Sequence, residues 1–112
     1  MNDKPKFEVR YLQEALDFIN SLPDKAKVKL LSNIEISRYV LDKEKFKKLT
    51  DSDIWEFRAK SEGRIYRVLA FWDKNENALV IATHGFEKKT QKTPENEKAK
   101  AKQIMKKYLT KS

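Results

Sequence analysis

The nine residues from Arg64 to Trp72, RIYRVLAFW, are nearly all apolar and stand between two turn signals. Ser61-Glu62-Gly63 precedes them, with Gly63 able to take a positive φ, and Asp73-Lys74-Asn75-Glu76-Asn77 follows. A run bounded in this way predicts a central strand, which demands a neighbour on each side. Before it, Trp55, Phe57 and Ala59 alternate with Glu56 and Arg58, the period of a strand with one face to the core and one to solvent. After it, Ala78 to Phe86 supplies a third strand. The middle of the chain is thus an antiparallel meander, and Arg67 interrupts its apolar centre.

The flanks read as follows. Phe7-Glu8-Val9-Arg10-Tyr11 alternates like a short strand, and Leu12, Ala15, Leu16 and Ile19 then share one helical face. Pro23 ends that helix, and Pro23 or Asp24 starts another with Ala26, Leu30, Leu31, Ile34 and Leu41 as its stripe. The two helices are expected to pair as an antiparallel hairpin. Residues 42–52, DKEKFKKLTDS, read as a charged connector that Phe46 and Leu49 tuck against the core. Thr93-Pro94-Glu95 opens a last helix with a hydroxyl N-cap, and Ala101, Ile104, Met105 and Tyr108 form its stripe. The sum is an α+β fold, β-α-α-β-β-β-α. The helical hairpin should cover one sheet face and leave the other open, with Glu56, Arg58 and Arg67 projecting from it.

At 112 residues the chain, 1–112, has the size of one domain with one core. The sequence holds no apolar run near the ~18 to 20 residues of a membrane span, and MNDKPKFEVRY has no signal-peptide core. It contains no cysteine, which removes disulfides and zinc–thiolate sites and fits a cytoplasmic setting. The net charge is +8, and residues 86–112 carry nine Lys against three Glu. A basic C-terminal quarter points to nucleic acid, the ribosome or an acidic partner, unless it is a solvated helix.

Arg67 either clamps a phosphate with its fork or pairs across strands with Glu56, and both hold if the acid orients the arginine. Arg58, on the same strand face as Glu56, offers a second cation. His84 is the one histidine, suited by its ordinary pKa to exchange protons near neutrality. A regular strand would place it with Val80 and Ala82 on an apolar face. Lys88, Lys89 and Lys92 follow, with Arg64, Lys47 and Lys48, as candidate phosphate contacts, unless the lysines are only solvated loop, and Tyr66, Trp72 and Phe86 as stacking surfaces or core. Asp51, Asp53, Glu56 and Asp73 are too scattered for a metal nuclease. Metal-independent cleavage of RNA remains, because the 2′-OH is an internal nucleophile.

WEFRAKSEGRIYRVLAFW, a short turn and then ALVIATHGFEKKTQKTP resemble the RelE/ParE superfamily of toxins, most of all its HigB-like, phage-derived branch. The HGFEKKTQKTP segment is the specific part. The resemblance implies a RelE-like fold and the toxin of a type II toxin–antitoxin pair, a ribosome-dependent mRNA endonuclease needing no cofactor or metal. It implies catalytic positions at Arg58, Arg67, His84, Lys88 and Lys89. The implied partners are a cognate antitoxin of helix-turn-helix type, the ribosome with its mRNA, and operator DNA through the antitoxin. Glu56 departs from the lysine of well-known members, and their C-terminal tyrosine has no clear counterpart. A ParE-like gyrase inhibitor and a non-catalytic RNA-binding module are the alternatives.

Overall fold

A computed structural model, which describes residues 4–88 and 92–111 apart from the side chain of Lys88, has eight elements. They are β1 (Glu8–Tyr11), α1 (Gln13–Asn20), α2 (Asp24–Ser37), β2 (Phe46–Lys48), β3 (Trp55–Ser61), β4 (Arg64–Trp72), β5 (Leu79–Lys88) and α3 (Glu95–Thr110). The strands form one sheet in the order β1-β5-β4-β3-β2. The apolar run of β4 is central, as expected, with β3 and β5 antiparallel on either side. β1 joins the far edge parallel to β5, from Glu8↔Leu79 to Tyr11↔Ala82. The fold is the expected α+β one with an added strand. The supposed connector contributes β2, whose Phe46 faces Phe57 with the two rings stacked 4.2 Å apart.

Side-chain alternation sends two apolar sets to opposite faces. Phe57, Ala59, Tyr66, Val68, Ala70, Val80 and Ala82 meet Ala15 and Ile19 of α1 and Ala26, Leu30 and Ile34 of α2. Leu69, Phe71 and Ile81 meet Ala101 of α3, with Leu12, Met105, Tyr108 and Leu109 around them. Both faces are therefore covered, which corrects the expected open face. The reason lies in α3: its stripe at 101, 105, 108 and 109 needs an apolar bed, and the second sheet face is the one α1 and α2 leave. Tyr66 and Trp72 pack in the first cluster and Phe86 in the second, so they serve the core.

The helical stripes shift a little from expectation. Leu16, Leu31 and Leu41 are exposed, because Ala15 and Ile19 fix the buried side of α1, Ala26, Leu30 and Ile34 that of α2, and Leu41 lies beyond the end of α2. α1 packs on β5 and α2 on β3, so each helix answers mainly to the sheet. Asn33 Nδ2 donates to the Arg58 carbonyl at 2.9 Å, tying α2 to β3.

β5 carries an irregularity with large consequences. Leu69 faces His84 while Ala70 faces Ala82, so Thr83 is an extra residue, a β-bulge. The bulge reverses the parity of the strand. Val80 and Ala82 point toward α1 and α2, whereas His84 and Phe86 lie beside Leu69 and Arg67 on the α3 face. The expectation that His84 shares a face with Val80 and Ala82 is thus corrected. Gly85 returns to the first face, where the Phe18 ring of α1 occupies the space a Cβ would take, with Cε2 only 2.6 Å from it. Gly85→Ala should therefore lower unfolding free energy in urea by about 1–3 kcal/mol through overpacking. Combining it with Phe18→Leu should recover part of that loss if the clash is the cause.

Candidate nucleic-acid interface

β3 and β4 place Arg58 directly opposite Arg67 on the α3 face, with Glu56 one pair further along that face. Two arginines facing each other across strands repel, and a carboxylate between them offsets this. Glu56 Oε1 lies 3.4 Å from Arg58 Nε and 3.7 Å from Arg67 Nε. Its other oxygen, Oε2, accepts a hydrogen bond from the Thr93 hydroxyl. Thr93 is therefore not the expected N-cap: α3 starts at Glu95 with Pro94 before it, and the hydroxyl goes to the buried acid instead. Glu56 is 1% exposed and Arg67 0%, while the Arg58 side chain keeps 15% of its surface. Burial pushes the Arg67 guanidinium pKa down, Glu56 pulls it up and Arg58 lowers it again; a guanidinium stays charged under all three.

Next to this cluster, Lys47, Lys48 and Thr50 face Lys92, Thr93 and Lys98 across a cleft of about 150 Å³, where Glu95 lies 3.5 Å from Lys98 as its one acid. That is well below the ~300 Å³ at which small-molecule pockets begin, so it suits a phosphate group and not a whole nucleotide. Three expected contacts, Lys47, Lys48 and Lys92, are brought together there, with Thr93 linking the cleft to Glu56. Lys98 was not anticipated; it lies one turn into α3 and donates to the Thr50 carbonyl at 3.2 Å. The spacing from Thr93-Pro94 was the available signal. Arg64 stands apart at the β3–β4 turn, paired with Glu87 at 2.7 Å. Lys89 and the side chain of Lys88 lie outside the described residues.

His84 shares the α3 face but is sealed, with 2% exposure. Nε2 is 3.0 Å from Glu97 Oε1 and Nδ1 is 3.0 Å from the Thr83 hydroxyl, which also reaches the Leu69 carbonyl. A carboxylate only accepts, so Nε2 carries the proton toward Glu97; in the neutral ring Nδ1 is an acceptor and shares the single Thr83 hydroxyl proton with the Leu69 carbonyl. Burial is the largest influence and lowers the His84 pKa, with Glu97 opposing it.

A family model described as "Phage derived protein Gp49-like (DUF891)" matches residues 17–106. The chain belongs to this Gp49-like family. It is a family of RelE/HigB-type toxins, which agrees with the resemblance in the sequence. Among solved structures, the toxin–antitoxin complex RelBE2 from Mycobacterium tuberculosis is similar in fold. It aligns with a TM-score of 0.53 and 23% identity over 80% of this chain and 100% of that one. No curated protein matches the chain.

In this Gp49-like chain Glu56 and His84 differ in what they hold. Removing the Glu56 carboxylate leaves the buried Arg67 facing the half-buried Arg58, so Glu56→Ala should cost about 3–5 kcal/mol in denaturant unfolding. For His84 the folded pKa is below the unfolded value near ~6.5, so the unfolded chain binds the extra proton first. Its contribution to stability is complete above pH ~6.5 and declines as pH falls below that value. Chemical unfolding measured from pH 7.5 to 5 should show this decline, and His84→Gln should flatten it. No helix among the described residues is long and apolar enough to cross a membrane.

Proposed function

We propose that this Gp49-like chain is the toxin of a type II toxin–antitoxin pair, a ribosome-dependent endoribonuclease that cuts mRNA without a metal. The observation that carries the reading is the pair Arg58 and Arg67, fixed by one carboxylate beside a cleft of four lysines. Such a surface binds RNA mainly through phosphates, with an affinity that falls as salt rises. Cleavage then needs little else from the protein. The 2′-oxygen attacks phosphorus as its proton leaves to a base, and the bond to the 5′-oxygen breaks as that oxygen takes a proton. Arg58, at the open edge of the pair, contacts the phosphate and offsets the charge of the phosphorane. Arg67 backs the same carboxylate from behind. Lys47, Lys48, Lys92 and Lys98 seat a neighbouring phosphate. Proton transfer falls to His84 or to Lys88 and Lys89, and the doubly hydrogen-bonded ring of His84 favours the lysines.

The similar RelBE2 structure is a complex of toxin with antitoxin, which supports a cognate antitoxin for this chain as well. A helix-turn-helix antitoxin covering the cationic cleft, and contacting operator DNA itself, would serve. The ribosome is the partner that presents mRNA.

The burial of Arg67 and His84 favours a second reading, an RNA-binding module that does not cleave. Induced expression separates the two. The nuclease reading expects growth arrest with mRNAs cut inside codons, and only where they are translated. Arg58→Ala, which leaves Glu56 with Arg67 and Thr93, should retain the fold and slow cleavage about 100-fold or more. Arrested cells with intact mRNA would exclude cleavage, and DNA damage in those cells would point to gyrase.

A further inference from the structure

The β2–β3 pairing stops at Phe46↔Phe57, with one further hydrogen bond from Arg58 N–H to the Lys45 carbonyl at 2.9 Å. Beyond it, the end of β3 has a strand on one side only. Between that edge and α2 lies a pocket of about 410 Å³. This is within the ~300–1,000 Å³ range of small-ligand sites, unlike the neighbouring phosphate-sized cleft. Lys29 of α2, Lys45 before β2 and Lys60 of β3 line it against one acid, Glu44, together with Arg58, whose guanidinium is directed to Glu56. Lys45 is engaged with Asp42 at 2.9 Å, whereas no carboxylate among the described residues pairs with Lys29 or Lys60. The excess of positive charge selects an anion.

Two further groups give the pocket shape. Ala59, 3% exposed, lies on the wall. The Asn33 amide, mostly buried, donates one N–H to the Arg58 carbonyl, which holds its plane. A fixed amide carries a second N–H and an acceptor oxygen, the pair of groups that reads a base edge. Arg58 lines this pocket and also pairs with Glu56, so the pocket adjoins the cationic cluster.

We propose that the pocket between α2 and the open edge of β3 is a nucleotide subsite. It holds one nucleotide of single-stranded RNA, with the phosphate on Lys29 and Lys60 and the base against Ala59 and the Asn33 amide. The choice of RNA as ligand rests on the function proposed above, but binding here requires no cleavage. A chain that binds nucleotides and never cuts RNA keeps the subsite and loses the nuclease.

The test titrates the full chain, labelled with ¹⁵N, with the four ribonucleoside 5′-monophosphates and with inorganic phosphate. Saturable shifts of the Asn33, Ala59 and Lys60 amides are expected, with at least one nucleotide binding about tenfold more tightly than phosphate. The Lys29→Glu/Lys60→Glu double variant, both sites being exposed, should weaken that nucleotide about tenfold or more, with unchanged thermal unfolding. Lys74→Glu in the β4–β5 turn, at the opposite end of the sheet, should leave it nearly unchanged. The proposal is overturned if phosphate binds as well as every nucleotide, if the shifts are confined to the Lys47, Lys48 and Lys92 cleft, or if the double variant binds as the parent does.

Discussion

One carboxylate organises this molecule. Glu56 lies between Arg58 and Arg67 on adjacent strands and accepts a hydroxyl from Thr93, the residue that leads into α3. Without it the Arg58↔Arg67 register would set two cations face to face in a dry sheet. Desolvating three charges consumes most of what their attraction returns, so the cluster adds less to net stability than its contacts suggest. What it supplies is definition. It holds the register of β3 on β4, the direction of two guanidinium groups and the point at which α3 meets the sheet. The core and the candidate site are therefore one object.

The bulge at Thr83 is the second decision. In a regular strand His84 would face α1 and α2 among apolar neighbours, where a polar ring has no partner. With the extra residue it turns beneath α3 and meets Glu97. α3 is then held by polar contacts along its length: Thr93 to Glu56 before it, Glu97 to His84 in its first turns, and Arg10 to the Tyr108 hydroxyl at 2.5 Å near its end. Ala101, Met105 and Leu109 fill the intervals. This mixture explains how a lysine-rich helix with a narrow apolar stripe is seated in one orientation.

The strands β3 to β5 and all three helices were legible in the sequence because each carries its own period over several residues. β2 was not, since Phe-Lys-Lys is too short to show alternation and its lysines read as a loop. The bulge escaped because a single strand does not reveal how it pairs; only the register against Leu69 and Ala70 does. The open face was an error of the same kind: the stripe of α3 was visible, but not the bed it chooses. In the site, the partnership of Glu56 with Arg67 was readable from strand parity. Lys98 and Asn33 were not, because each meets its partner across long stretches of chain, 48 and 25 residues.

Arg58 emerges as the residue most completely fixed at the boundary between core and solvent. Its N–H is bound by the Lys45 carbonyl, its own carbonyl by the Asn33 amide, and its guanidinium lies against Glu56. α2, the lead into β2 and β3 itself thus each constrain one part of the same residue. It adjoins the larger pocket, and through Glu56 and Thr93 it is linked to the smaller cleft. A cation placed in this way needs little rearrangement when an anion arrives, and electrostatic stabilisation is strongest where the charges are already oriented. Arg67 is wholly buried against the same carboxylate. On an RNA-cleaving reading the division of labour follows from burial alone: the deep arginine and its acid set the geometry, and the shallow one meets the phosphate.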